Sequence, residues 1–304
     1  MPSIVERLPS GARVLVVRLR SLGDCVLTTP ALHLLHAHRP DLEIGVVVEG
    51  RFAQIFEGNP AVAAILPPSR KTALGYGAKL AVNFHGGSRS ALLTALSLAR
   101  WRAGFGHYRR QWVYNLCIPR AQEILGEERT VHTAEHLASA MFYLGVPRAE
   151  IPRAQLFADQ HAPLRPCVVI HPLASAEAKA WPASRFLEIA RWLRDERGLQ
   201  PVVIGGPGED LSAFAEFDQL AGAPLNDVKR LMSGASLFVG NDSGPAHMAA
   251  AFGVPVVALY GSSDPVIWAP WRTRGEAVSA PEGLPTVSVD RVRGAVQRLL
   301  GDLR

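Results

Sequence analysis

The residues best placed by type and spacing to do chemistry lie in NDSGPAH, positions 241–247, directly after the apolar run LFVG. Asp242, Ser243 and Gly244 turn the chain, and Pro245 needs no amide partner in the first turn of the alanine-rich helix predicted behind it. A helix that starts in small residues offers unpaired N–H groups and the positive end of its dipole, which suits a phosphate or diphosphate. The same residues also read as a plain cap, with Asp242 or Ser243 on the helix end and His247 packed against it. A second junction, RLRSLGDCVLTTPAL, sets Gly23 and Asp24 just past the first strand, at the edge where open α/β sheets bind ligands. Gly23 permits a close approach or a positive φ there. The following helix is predicted to begin at Thr29-Pro30, which leaves Asp24 outside it and available as a general base.

A third stretch, HPLASAEAKAWPASRF, carries Lys179 in a loop between a strand and a helix expected to be capped by Ser184. In a fourth, GGPGED, the glycines Gly205, Gly206 and Gly208 let backbone approach a ligand, and Glu209 could accept from ribose hydroxyls. The segment does not match GxGxxG, and Gly75-x-Gly77 and Gly104-x-Gly106 lack the third glycine, so the dinucleotide fingerprint is absent. There is no GxxxxGK[ST] loop. His132-Thr133-Ala134-Glu135-His136 fits the H-x-x-E-H pattern of zinc peptidases and would set two imidazoles four residues apart on one helical face. No third ligand can be named, so these are expected to be surface histidines, with no metal bound.

The elements that must position these residues alternate between short β-branched runs and helically spaced stretches, the texture of parallel sheets covered by helices. Strands are predicted at Arg13–Leu19, Glu43–Val48, Ala81–Phe84, Cys167–His171, Pro201–Ile204, Leu237–Gly240 and Pro255–Tyr260. Helices are predicted near His132–Leu144 and at Ser184–Arg197, Leu225–Ser233 and Val289–Leu300. The proline-rich segment Ile151–Pro166 lacks periodicity and reads as a linker. Two Rossmann-like domains are expected, 1–158 and 159–304, and the sequence shows no internal repeat.

Composition narrows the function. With 48% hydrophobic and 19% charged residues the chain is too apolar for disorder. Its longest apolar runs are far shorter than the roughly 18–20 residues of a membrane span. The opening MPSIVERLPSGAR carries acid, base and proline before any apolar run, unlike a secretory signal, so a cytoplasmic location is expected. Cys25, Cys117 and Cys167 are odd in number and widely spaced, as for reduced thiols. The net charge of +5 is uneven: residues 1–160 hold 18 Lys/Arg against 12 Asp/Glu, and residues 161–304 hold 14 against 15. Between Arg70 and Arg120 there are nine basic residues and no acid, interleaved with Trp101, Phe105, Tyr108, Trp112 and Tyr114. Such a stretch suits an anionic partner, a lipid surface or stacked bases, although no nucleic-acid-binding motif accompanies it and no nucleic acid is expected.

Taken together, RSLGDCVLTTPAL, the Lys179-Ala180-Trp181-Pro182 loop, GGPGE and GNDSGPAHMAAAFGVPVVALYGSSDPVIWAP resemble the bacterial lipopolysaccharide heptosyltransferases of glycosyltransferase family 9, over nearly the whole chain. The resemblance implies an α/β GT-B architecture: two Rossmann-like domains facing across a cleft, acceptor on the first, nucleotide sugar on the second, and a last helix that can cross back onto the first. It implies an inverting, metal-independent transfer, with an ADP-sugar, by majority ADP-heptose, as co-substrate and no cofactor. Asp24 takes the place of the catalytic base and Lys179 that of the lysine beside the donor's phosphates. Glu209 would hold the ribose and Asp242 sugar hydroxyls, with the Ser243 and Gly244 amides and the His247 side chain around the diphosphate. Arg89, Arg109 and Arg110 are the acceptor-binding candidates, suited to an anionic glycolipid or glycan at the inner face of the cytoplasmic membrane. One departure concerns the nucleoside pocket, where the strand expected before LNDVKRL is reduced to little more than QLAGAP.

Overall fold

The computed structural model describes residues 3–159, 165–174 and 180–301, and the chain divides into two compact units, Met1–Phe157 and Ala158–Arg304. In the first unit, β1 (Arg13–Val17), β2 (Glu43–Val47), β3 (Ala64–Leu66), β4 (Leu80–Asn83), β5 (Trp101–Phe105) and β6 (Leu116–Ile118) form one parallel sheet in the order β3-β2-β1-β4-β5-β6. The second unit repeats the order with β7 (Cys167–His171), β8 (Gln200–Gly205), β9 (Asp218–Ala221), β10 (Leu237–Asn241), β11 (Val256–Tyr260) and β12 (Gly275–Ser279), arranged β12-β11-β10-β7-β8-β9. Both are the doubly wound nucleotide-binding order, whose direction reverses once, between β1 and β4 and between β7 and β10. Ligands bind such sheets at that reversal, beyond the carboxyl ends of the strands.

Helices α1 (Leu22–His38), α2 (Arg70–Gly75), α3 (Ser88–Leu96), α4 (Ala121–Leu125) and α5 (Thr133–Leu144) belong to the first unit. Strand alternation divides the core: Leu15, Val17, Val47 and Ala81 pack against Ala73 of α2 and Leu93 of α3. Val14 and Val16, also buried, alternate to the opposite face, where α1 and α5 lie side by side. Helices α6 (Ala183–Arg197), α7 (Leu225–Ser233), α8 (Gly244–Phe252), α9 (Pro265–Trp268) and α10 (Val289–Gly301) cover the second sheet. Helix α10, which the resemblance allowed to cross to the first unit, buries Val292, Ala295, Val296 and Leu299 in the core of the second. Among the described residues no helix is long and apolar enough to cross a membrane.

Three local expectations are corrected. Helix α1 begins at Leu22, seven residues before the predicted start, and runs through Pro30. The Val26 carbonyl, which Pro30 cannot serve, is taken up by the Thr29 hydroxyl at 2.8 Å, so the proline is tolerated in mid-helix. Gly23 therefore sits in a helical first turn, outside the glycines of positive φ. Helix α6 starts at Ala183 with Pro182 at its cap, placing Ser184 inside it. Strand β9 is a full partner of β8 over Asp218–Ala221, so the strand expected to be reduced before LNDVKRL is present despite its short sequence.

The presumed linker shows why the units divide near residue 157. Ile151, Ala154 and Leu156 are buried, and the Gln155 amide donates to Thr29 Oγ1 of α1 at 3.0 Å. That segment is anchored to the first unit by side-chain burial, without secondary structure of its own.

Candidate functional site

At the reversal of the first sheet, the chain leaves β1 through Arg18 and enters α1 at Ser21-Leu22-Gly23-Asp24. Asp24 is not outside the helix, as its sequence suggested, but in its first turn, where it forms a capping box with Ser21. One carboxylate oxygen accepts from the Ser21 amide at 3.4 Å and hydroxyl at 3.2 Å; the other lies 3.6 Å from the Arg18 guanidinium. Both contacts are long, and about a quarter of the carboxylate side chain, 26%, stays exposed. Capping and proton transfer are compatible: the cap fixes the direction of the carboxylate, and the exposed edge can meet an incoming hydroxyl.

Arg18 is the residue the sequence reading missed. It is only 5% exposed, and its Nε has no hydrogen-bond partner among the described residues. A buried cation with a spare donor is costly unless a ligand or counter-charge uses it. Burial first, and the Arg18 charge after it, hold His85, beyond the end of β4, below the ordinary imidazole value. His136 on α5 is held down to about 4, by burial first and by His107 and Arg18 after it. His136 stacks on Phe105 with ring centroids 4.0 Å apart. A buried arginine closing the apolar run RVLVV was the available signal, since nothing in a core position carries charge without a partner.

The HTAEH segment is a helix start. His132 caps α5, its Nδ1 accepting from the Ala134 amide at 3.0 Å, while Glu135 returns to the His132 amide at 3.1 Å and pairs with Arg129 at 2.6 Å. His132 therefore precedes the helix and its Nδ1 is committed to the cap. The two imidazoles do not share a helical face as the motif required.

At the reversal of the second sheet, β10 ends in Asn241, and Asp242 and Ser243 lead into α8 with Pro245 in its first turn, as expected from the sequence. The Ser243 side chain does not cap the helix. Its hydroxyl shares a 3.1 Å hydrogen bond with Nδ1 of His171, the last residue of β7. Among the described residues no side chain caps α8, and the Ala246 amide donates to the Ser243 carbonyl at 3.2 Å. His247, one turn on, is buried. Gly240 is required here: a Cβ would come 2.8 Å from the His171 carbonyl. Glu209 closes its own turn, one carboxylate oxygen accepting from the Gly206 amide at 2.6 Å. Lys179 lies outside the described residues.

Asn241, fully buried, was also missed. Its side-chain oxygen accepts from the Trp181 amide at 3.0 Å and its nitrogen donates to the Pro172 carbonyl at 2.8 Å. These bonds tie Pro172 and Trp181, which flank the residues outside the description, to the end of β10, and the Trp181 indole donates to the Val287 carbonyl at 2.9 Å. The proposed acceptor residues are exposed. Arg89 reaches the Pro68 carbonyl at 3.0 Å and Glu49 at 3.8 Å, Arg110 donates to the Ser88 hydroxyl at 3.0 Å, and Arg109 lies in the loop after β5.

Burial pushes the His171 imidazole from 6.5 down to about 4, with Glu209 pulling weakly the other way. Between those values the unfolded chain binds a proton that the native chain does not, so stability is complete above pH ~6.5 and falls as the pH drops toward 4. The full window corresponds to about 3 kcal/mol for this residue. Urea midpoints measured from pH 7.5 to 4.5 should fall, and should fall less steeply in His171→Gln; parallel curves would show that His171 is not the group protonated.

The family model for glycosyltransferase family 9 (heptosyltransferase) matches residues 70–294. The chain is 28% identical over 291 residues to lipopolysaccharide heptosyltransferase 3 of Escherichia coli K12, covering 83% of each chain. Among solved structures, E. coli ADP-heptose lipopolysaccharide heptosyltransferase II superposes with a TM-score of 0.81 at 22% identity, over 96% of this chain and 99% of the other. E. coli heptosyltransferase WaaC with ADP gives 0.79 at 21%, over 94% and 99%. The paired Rossmann sheets are thus those of the GT-B architecture.

Proposed function

The chain belongs to glycosyltransferase family 9, and from that premise we propose that it transfers a heptose from an ADP-activated donor to an anionic lipopolysaccharide-core or related acceptor, with inversion and without a metal. What carries the reading is the recurrence of chemistry at the same point of both sheets. The first reversal presents a carboxylate beside a buried guanidinium, and the second presents a helix N-terminus with Asp242 and Ser243 at its mouth. Relatives named for ADP-heptose and a neighbour solved with ADP support the choice of donor.

In this reaction Asp24 accepts the proton of the acceptor hydroxyl as its oxygen bonds to the anomeric carbon. The bond from that carbon to the diphosphate oxygen breaks, and ADP leaves with the electron pair. The charge that develops is met by the Ser243 and Gly244 amides at the start of α8, a preorganised donor pair that needs no reorientation during the step. Lys179 adds a cation, a role assigned by its motif. His171 and Ser243 set the mouth of the helix, His247 lines it, and Glu209 and Asp242 are the ribose and sugar contacts. The exposed Arg89, Arg109 and Arg110 offer charge for phosphates or carboxylates of the acceptor, and the enzyme works at the cytoplasmic side of the membrane.

The test is a nucleotide and sugar screen. ADP at a hundredfold excess over its dissociation constant should stabilise the fold by about 2.7 kcal/mol, with UDP and GDP doing markedly less. ADP-heptose with a heptose-deficient core acceptor should release ADP at a rate unchanged by chelators. Stabilisation by UDP alone would replace the donor, and loss of turnover with chelator would replace the metal-free mechanism.

A further inference from the structure

Among the described residues of the second unit, four polar side chains are buried: His171, Lys229, Asn241 and His247. His171 ends β7, Asn241 ends β10 and His247 lies in the first half of α8, so three of the four gather at the reversal of the sheet. The fourth, Lys229, carries a charge and is only 2% exposed. It shares the inward face of α7 with Val228 and Met232, whereas Arg230 beside it is exposed and pairs with Asp227 at 3.6 Å. Lysine is almost never fully buried unless its charge is used, because an ammonium taken out of water loses its hydration.

Helix α7 follows β9, so it starts at the carboxyl edge of the sheet, and it packs against α8, which starts at the same edge. Lys229 is the fifth residue of α7, about 6 Å along its axis. Helical side chains lean back toward the N-terminus, and the four-carbon stem of lysine is long enough to return its ammonium to the level of the sheet edge and the first turn of α8. That level is short of positive charge. Asp242 precedes α8, and Glu209 is near enough for its carboxylate to act on His171. Two carboxylates outweigh the roughly half charge of a helix terminus, and a diphosphate adds more of the same sign. We infer that Lys229 is a second cation of this site, besides Lys179, and that it meets the donor's diphosphate and part of the charge on departing ADP. Lys229 already interacts within the fold, so the diphosphate exchanges one partner for another. This role rests on the reading of the α8 start as the diphosphate site and adds to it a residue from a separate helix.

The test is calorimetry of ADP and of adenosine on the full chain and on Lys229→Met, which keeps the length of the side chain and removes its charge. The parent should bind ADP more tightly than adenosine. In Lys229→Met the affinity for ADP should fall about 10–100-fold, the loss of one charge-assisted contact, while that for adenosine stays within about twofold. Lys229→Arg keeps a cation and should retain part of the preference for ADP. Exchange of a buried charge for an apolar side chain is commonly tolerated, and urea midpoints verify the fold. Should the methionine variant not fold, Lys229→Gln takes its place in the same comparison. Unchanged ADP affinity in a folded, uncharged variant would confine Lys229 to the packing of α7. An equal loss for ADP and adenosine would show a distorted pocket in place of a missing charge, and either result overturns the role. A parent that binds no nucleoside diphosphate would instead remove the donor reading, and the role of Lys229 with it.

Discussion

Asp24→Asn should lower the transfer rate by roughly 10²–10⁴-fold at saturating donor, the span that general-base catalysis commonly supplies. Asparagine is the informative substitution because its side-chain oxygen can still accept from Ser21 and preserve the start of α1, whereas it cannot take a proton. Alanine would remove both functions and cost a cap of about 1 kcal/mol besides. Affinity for ADP, measured by calorimetry, should be unchanged, since the proposed diphosphate contacts come from the second unit. Near-normal turnover by Asp24→Asn would leave Asp24 a helix cap and nothing more. Arg18→Met supplies the companion measurement. With the guanidinium 3.6 Å from it removed, the carboxylate keeps its cap but loses the second contact that holds its other oxygen, and the turnover number should fall about 10–100-fold with donor KM retained. Arg18→Lys should restore part of it, which a purely structural role would not.

The second large effect is expected at Asn241. Asn241→Leu fills a similar volume but strands the Trp181 amide and the Pro172 carbonyl in a buried site, at a cost of about 2–5 kcal/mol. Pro172 and Trp181 flank Lys179 in sequence and both depend on these bonds, so with Lys179 in its proposed role transfer should fall about 100-fold even at temperatures where the variant remains folded. Denaturant melts separate the two effects from each other. A midpoint shift below about 0.5 kcal/mol would show that the clamp is dispensable, and an intact rate in a destabilised variant would confine Asn241 to folding.

These residues also mark where the sequence was legible. The start of α8 was readable because everything that dictates it is local: an apolar strand, small turning residues and a proline where a missing amide costs nothing. The start of α1 was misread for an equally physical reason. Proline normally ends or opens a helix, and only the Thr29 hydroxyl on the Val26 carbonyl reveals that this one is accommodated. Short edge strands escaped as well; β3 and β6 have three residues each, too few for an alternation to stand out. The HTAEH pattern shows the converse, a spacing with a chemical meaning that the chain spends on a helix cap and an arginine pair.

By itself the amino-acid sequence determined that the chain folds as two successive parallel α/β units, where most strands and helices lie, and where α8 starts. Hydrophobic period, turn chemistry and first-turn residues act over a few positions and are written in consecutive letters. Tertiary structure alone decided that Asp24 is held by Arg18, that Ser243 turns to His171 72 residues away, and that Asn241 ties residues 60 and 69 positions from it. Those pairings arise where strands distant in sequence meet at the reversal of a sheet, and burial there forces every polar group to find a partner that no local pattern names.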